Sequence, residues 1–278
     1  MELLKRLRRH RFLFRQLVHR DFTKKYKRTV LGIGWSMLSP LLTLLVMNIV
    51  FSSLLGSNIP HYTIYLFSGQ LVYSFFNEAT NQGMTALLDN SEIFTKVNVP
   101  KYMFLFSKNV SSLINFGLTL IIYLIFVIAN GIPITWKFIF LLYPVVCLVI
   151  FNLGMGLILS ALYLFFRDIQ YLYSIFTMLL MYMSAIFYDI GSFPHFAQNL
   201  FLLNPIYLLD TSAKLLLREP FLLWSFIFLQ RRMQCSYLRS AAGYTRRKTI
   251  VFYIMCEDDN GVCVKSRKCI HSLYHRRF

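Results

Sequence analysis

Acidic side chains are scarce in this sequence: 12 Asp and Glu stand against 29 Lys and Arg in 278 residues. The acids are scattered, so no carboxylate pair is set for acid–base chemistry, and the 6 His form no constellation with them. Glycine is thin as well. None of the 12 Gly starts the G-x-x-x-x-G-K pattern that cradles phosphates, and G-x-G-x-x-G, G-x-S-x-G and H-E-x-x-H are missing. Gly154-Met-Gly156 lies inside an apolar run, where it suits a close helix contact rather than a phosphate. The chain is therefore expected to hydrolyse no nucleotide, and any work it does draws on a partner or a gradient. Four of the 5 Cys (235, 256, 263 and 269) fall after residue 230, and their C-x6-C-x5-C-x-H spacing is no ordinary zinc pattern. No metal and no cofactor is expected. A short apolar core with a small-residue cleavage site is also missing, so the first 35 residues read as part of the mature protein.

Apolar residues are what the chain has in excess. It is 56% hydrophobic and 17% aromatic, with a mean hydropathy of +0.53, too apolar for a water-soluble globule. The formal charge of +17 sits at the ends. Residues 1–28 hold 11 cations and 2 acids, residues 231–278 hold 11 and 3, and the stretch between holds 7 and 7. A nucleic-acid-binding stripe would be interleaved with amphipathic segments; basic ends around a neutral apolar middle belong to a membrane domain, and no nucleic-acid partner is expected.

Uncharged runs cover 36–56 (21 residues), 62–77 (16), 109–136 (28), 138–166 (29) and 169–188 (20). Roughly 20 residues of helix cross the hydrocarbon core. Four runs suffice alone, and the second does if its helix continues through Glu78 to about Leu88. The expectation is an all-α integral membrane protein with five spans. Lys96, Lys101 and Lys108 follow the second span and Arg167 the fourth, while the links after the first and third carry no cation and one. With 11 cations ahead of the first span, the N-terminus is read as cytoplasmic.

The flanks differ from the spans. In residues 2–22, Leu3, Leu4, Leu7, Phe14, Leu17 and Val18 recur at three- and four-residue steps among Arg8, Arg9 and Arg15, which suits a helix in the headgroup layer; a plain topogenic tail is the alternative. Residues 189–220 are apolar but broken by Gly191, Pro194 and Pro205. They read as re-entrant or outer interfacial helices, or as a sixth span kinked at Pro205. One domain is expected over 1–278: a cytoplasmic interface segment (1–35), spans and outer helices (36–230) and an atypical basic tail (231–278).

Two stretches stand out as candidate sites. Within the spans, Glu78 lies on a helical stripe with Ser74, Asn77, Asn81, Gln82 and Thr85. That stripe suits a polar conduit, or a carboxylate reaching for the interface. The link "LLDNSEIFTKVNVPKYMFLFSK" (87–108) offers N-caps at Asp89, Asn90 and Ser91, apolar contacts at Ile93 and Phe94, and a stop at Pro100. It reads as a short helix displayed for a partner, or as a passive connector. Aromatic faces could line a path for a sugar chain or simply meet lipid.

Four stretches together resemble the membrane subunits of polysaccharide-exporting ATP-binding-cassette transporters, the O-antigen, capsule and teichoic-acid permeases. They are "RDFTKKYKRTVLGIGWSMLSPLL" (20–42), "FTKVNVPKYMF" (94–104), "LFFRDIQYL" (164–172) and "LLNPIYLL" (202–209), in family order over roughly 12–220. The resemblance implies a homodimeric permease of six spans per subunit in the bacterial cell membrane, driven by two cytoplasmic ATPases. ATP would be bound by those partners, and the cargo would be a polyprenyl-diphosphate-linked glycan. Asn90, Glu92, Ile93, Phe94, Lys96 and Pro100 would form the coupling segment, and Arg167 and Asp168 the cytoplasmic turn. Asn204 and Pro205 would belong to outer gate helices. Arg20, Lys24, Lys25 and Arg28 would lie at the portal where a lipid diphosphate arrives, although a cluster that binds anionic lipids looks the same. Asn77, Glu78 and Asn81 remain the conduit candidates.

Two other classes compete. An integral-membrane glycolipid-modifying enzyme needs a polar catalytic cluster, and a gradient-driven lipid flippase rests on Glu78 alone. The likeness fails at the end of the chain. "PFLLWSFIFLQ" supplies 11 uncharged residues before Arg231 and Arg232, roughly half a bilayer of helix. The sixth span is thus defective or altered, and the reading frame is taken to leave the ancestral one near 224–230, impairing this copy as a transporter. Resequencing the locus is expected to reveal a one-base shift that restores about 20 apolar residues. If no frame encodes such a span and the chain as given transports, the expectation is wrong.

Overall fold

The computed structural model describes residues 11–27, 29–55, 61–96, 102–131 and 142–188, with single positions 194, 201, 204, 206, 207 and 211. All regular structure among them is helical: α1 (Arg11–Tyr26), α2 (Gly34–Leu55), α3 (Tyr62–Asp89), α4 (Ser91–Lys96), α5 (Tyr102–Ala129), α6 (Leu142–Phe165) and α7 (Ile169–Tyr182). Three are long and apolar enough to cross a membrane, Gly34–Ser52, Tyr102–Ala129 and Leu142–Phe165. The interface positions 2–10 and the tail 231–278 lie outside the described residues.

The amphipathicity of these helices is reversed relative to a soluble bundle. On α5 the buried stripe includes Ser107, Ser111, Asn115 and Thr119, while Ile114, Ile121, Ile125 and Ile128 are exposed. On α2, Leu45, Val46 and Ile49 point outward, and on α7 Tyr171, Leu172, Ile175 and Leu179 do. Apolar faces turned outward around polar interior positions suit hydrocarbon as the surrounding solvent.

Helix α3 is the hub. It packs most extensively on α6 and α5 and also meets α2. Its run through Glu78 to Asp89 agrees with the sequence expectation. Rings from its neighbours close around it: Phe67 stands edge-on to Tyr123 at 5.6 Å, Phe75 lies 4.8 Å from Phe116, and Phe76 stacks on Phe151 at 5.9 Å. Near its far end α3 touches α6 backbone to backbone. A Cβ added to Gly83 would meet Gly156 Cα at 3.0 Å. The Gly154-x-Gly156 pair thus does serve a helix contact, through Gly156.

Two boundaries differ from expectation. Helix α5 begins at Tyr102, ahead of the uncharged run, because Met103 and Phe104 are buried and the Lys108 ammonium meets acids. The 169–188 run is not one helix. Helix α7 stops at Tyr182, and Ala185 adopts a left-handed φ of 50°. Phenols of α3 take the carbonyls that a continuing helix would have used: Tyr65 Oη donates to Ala185 O (3.0 Å) and Tyr188 O (2.8 Å), and Tyr62 Oη to Phe187 O (3.0 Å).

The α3–α6 contact yields a sign test. Gly83→Ala is expected to destabilise the bundle by about 1–3 kcal/mol through overpacking. Gly117→Ala, whose added Cβ would have nothing within 4 Å, should instead gain up to about 1 kcal/mol of helix propensity. Unfolding midpoints in detergent that move in the same direction for both would refute the contact.

Candidate functional site

The polar side chains gather where α1 crosses the ends of α3 and α5. Helix α1 is held first by apolar packing. Leu17 is buried with Tyr102, Met103 and Phe104, and Leu13, Phe14 and Ile93 pack on that cluster. Of the stripe 2–22, Phe14 and Leu17 thus rest on protein, because the N-terminus of α5 presents a matching apolar surface. Leu3, Leu4 and Leu7 lie outside the described residues.

At the centre of this seam is Asp21, whose side chain is 2% exposed. Arg20 donates to its Oδ1 from Nε (3.1 Å) and Nη2 (2.7 Å), and Ser107 Oγ donates to Oδ2 at 2.9 Å. Lys108 Nζ stands 3.9 Å from Asp21 and 3.7 Å from Asp89 Oδ2, which also accepts from Thr85 Oγ1 at 3.0 Å. A buried carboxylate requires such partners, since desolvation opposes its charge.

The Arg20 fork reaches further, donating from Nη2 to Asn90 Oδ1 at 2.7 Å. Asn90 closes α3 and opens α4. Its Nδ2 donates to Ala86 O at 2.7 Å, and its carbonyl accepts from Ile93 N at 3.0 Å. The side chain expected to cap α4 thus turns back onto α3, held there by Arg20. Within α4, Ser91 and Ile93 are half-buried and Glu92 is exposed. Phe94 and Lys96 fall in the helix, but their side chains lie outside the described residues, as does Pro100.

One turn along α1, Lys25 Nζ pairs with Glu78 Oε1 at 3.0 Å. The same oxygen accepts from Asn115 Nδ2 (2.7 Å) and Gln82 Nε2 (3.0 Å), and Tyr26 Oη donates to Asn115 Oδ1 at 2.9 Å. Burial raises the Tyr26 phenol above the ordinary tyrosine pKa, with the Lys25 ammonium opposing it. Two residue sets that sequence kept apart are therefore one. Lys25 of the expected portal neutralises Glu78 of the expected conduit. Glu78, on which the gradient-driven alternative rested, is thus an ion-pair partner of Lys25. Asn77 and Asn81 bond each other, Asn81 Nδ2 reaching Asn77 Oδ1 at 2.8 Å, on the half-buried stripe of α3.

The remaining candidates disperse. Lys24 is exposed and makes no ion pair among the described residues, and Arg28 lies outside them. Arg167 and Asp168 are exposed in the tight α6–α7 turn, where Tyr171 N donates to Asp168 O at 3.1 Å. Asn204 is buried at the end of the bundle away from α1, donating to Met183 O and Ser184 Oγ, both at 3.1 Å. It anchors the turn after α7; Pro205 lies outside the described residues. Sequence reading missed Asp21, Tyr26, Ser107, Lys108 and Asn115 as site residues. Asp21 alone carried a signal, as the one acid between Glu2 and Glu78, set among cations.

Outward apolar faces, an inward polar hub helix and a basic helix clamped across one end define a membrane-embedded permease-type bundle. The chain belongs to the ABC-2 type transporter family, whose profile matches residues 12–211. It is 31% identical over 223 residues to the O-antigen export system permease protein RfbA of Myxococcus xanthus, covering 79% of this chain and 85% of that one. A similar protein of the same name from Klebsiella pneumoniae is 26% identical over 200 residues, 70% of this chain and 77% of its own length. Members of this family are transport subunits, with ATP hydrolysis in a partner subunit.

Asp21→Ala strips Arg20, Ser107 and Lys108 of their shared acceptor, while Arg20 keeps Asn90 and Lys108 keeps Asp89, and is expected to cost about 2–3 kcal/mol. Tyr26→Phe removes one neutral hydrogen bond and should cost about 1 kcal/mol. Thermal unfolding that ranks the two in reverse order would contradict the central place of Asp21.

Proposed function

We propose that this chain is the membrane subunit of an ATP-binding-cassette exporter that moves a polyprenyl-diphosphate-linked polysaccharide across the cell membrane. The observation that carries this reading is the 31% identity, over 79% of the chain, to a protein named for O-antigen export. Helices α2, α3, α5 and α6 serve as spans, and α7 makes the fifth together with residues 183–188 beyond its end. The α1 end faces the cytoplasm, as the cation bias requires, and a second copy completes the transport path. The family match ends at residue 211, which supports reading 231–278 as sequence outside the permease proper.

The ATPase docks at α4, where Glu92 is exposed. The portal set divides by its bonding. Arg20 and Lys25 are committed to Asp21, Asn90 and Glu78, so Lys24, together with Arg28 in sequence, is left to meet an anionic headgroup. The segment around Asn204 forms part of the outer gate. ATP is bound by the partner, and this chain holds no cofactor.

Reconstitution with the ATPase tests the reading. Export of lipid-linked glycan should require ATP and fail with a hydrolysis-dead ATPase. Export driven by an ion gradient without the ATPase would overturn it. Glu92→Arg is a sharper probe of docking than a charge at Ile93, whose half-buried side chain packs under α1. It should lower glycan moved per ATP by roughly ten-fold, the effect of about 1.4 kcal/mol at an interface, with the chain still folded.

A further inference from the structure

We infer that Arg20 and Asp21 join helix α1 to helix α4, so that the two move as one body when the docked partner moves. Both act through Asn90 and are positioning residues. Three observations carry the inference.

Asn90 is the only residue between α3 and α4. The direction of α4 is therefore decided by the conformation of one residue and by what holds its side chain. Arg20 Nη2 holds that side chain at 2.7 Å. The same guanidinium is fixed by two bonds to Asp21, and Asp21 is fixed to α5 by Ser107. The planar guanidinium fork is what lets one side chain serve a carboxylate and an amide oxygen at once. A lysine at position 20 keeps the charge beside Asp21 but loses the fork.

The seam is also apolar on its other side. Ile93 of α4 packs on the same cluster as Leu13, Phe14 and Leu17 of α1. Helices α1 and α4 thus share a polar joint at Asn90 and an apolar contact one turn into α4. Through this joint, motion imposed on α4 passes into α1 and, by way of Ser107 and Lys108, into α5.

The test has two arms, and the first is independent of the proposed function. Spin labels at the exposed positions His19 and Glu92 report the α1–α4 distance in the full chain in detergent. The expected result is a narrow distribution that broadens in Arg20→Lys. An unchanged distribution would overturn the joint. The second arm rests on the coupling reading and uses the unlabelled chain with its ATPase in proteoliposomes. Arg20→Lys should keep the assembled complex and its basal ATP hydrolysis but lower glycan moved per ATP about ten-fold, the loss of one charge-assisted bond. Bridging Arg20→Cys and Asn90→Cys with a short thiol cross-linker should restore coupling lost in the unbridged pair. Transport that arrests on bridging would show that the helices separate in the cycle and would overturn the inference. Wild-type coupling in Arg20→Lys would do the same. If the joint is seen by spin label but the wild-type chain gains nothing from its ATPase, the function reading fails and the joint stands.

Discussion

A carboxylate removed from water must be met by cations and donors at short range, and Asp21 imposes that requirement on two helices directly and on a third through its partners. Arg20 from its own helix, with Ser107 and Lys108 from α5, converge on it. Lys108 then reaches Asp89 and Arg20 reaches Asn90, so the end of α3 is drawn into the same network. Removing its cations would leave the buried Asp21 carboxylate uncompensated, which costs more than the pair itself contributes. The position of α1 is thus set by electrostatics over an apolar seat, and the start of α4 follows from it.

The rest of the bundle is arranged around α3, the least hydrophobic of the long helices. Its Tyr, Asn, Gln, Thr and Glu side chains need partners that lipid cannot supply, and the neighbouring helices provide them. At one end Glu78 is met by Lys25, Asn115 and Gln82. At the other, Tyr62 and Tyr65 bind the carbonyls past α7. Apolar α2, α5 and α6 surround it because their outer faces lose nothing in hydrocarbon. Gly83 and Gly156 let α3 and α6 approach closely where no side chain fits.

This arrangement changes what the basic N-terminal segment is for. Counted along the chain, its cations look like a single patch available to any anion. In three dimensions Arg20 and Lys25 are paired with acids of the same molecule, and Lys24, which makes no ion pair among the described residues, remains for a headgroup. The segment is both a structural clamp and a surface, and the division follows from which side of α1 each cation occupies.

The sequence by itself determined the solvent and the order of the parts. Run lengths near 20 residues, the absence of acids and the cations at the ends required apolar helices in lipid with a basic helix before them, and α2, α3, α5 and α6 follow those runs. The family was legible in four motifs between residues 20 and 209, and the family profile matches residues 12–211. What only the tertiary structure decided was which charges meet. Asp21 and Ser107 are 86 positions apart, and Asn115 and Glu78 are 37 apart; no local periodicity links them. The end of α7 at Tyr182 was equally hidden, because the run stays apolar to Tyr188 and the helix is broken by phenols from α3. Hydropathy reports each residue's preference for water or lipid, and it is additive along the chain. Pairing of buried polar groups is a property of two segments together, and only their packing reveals it.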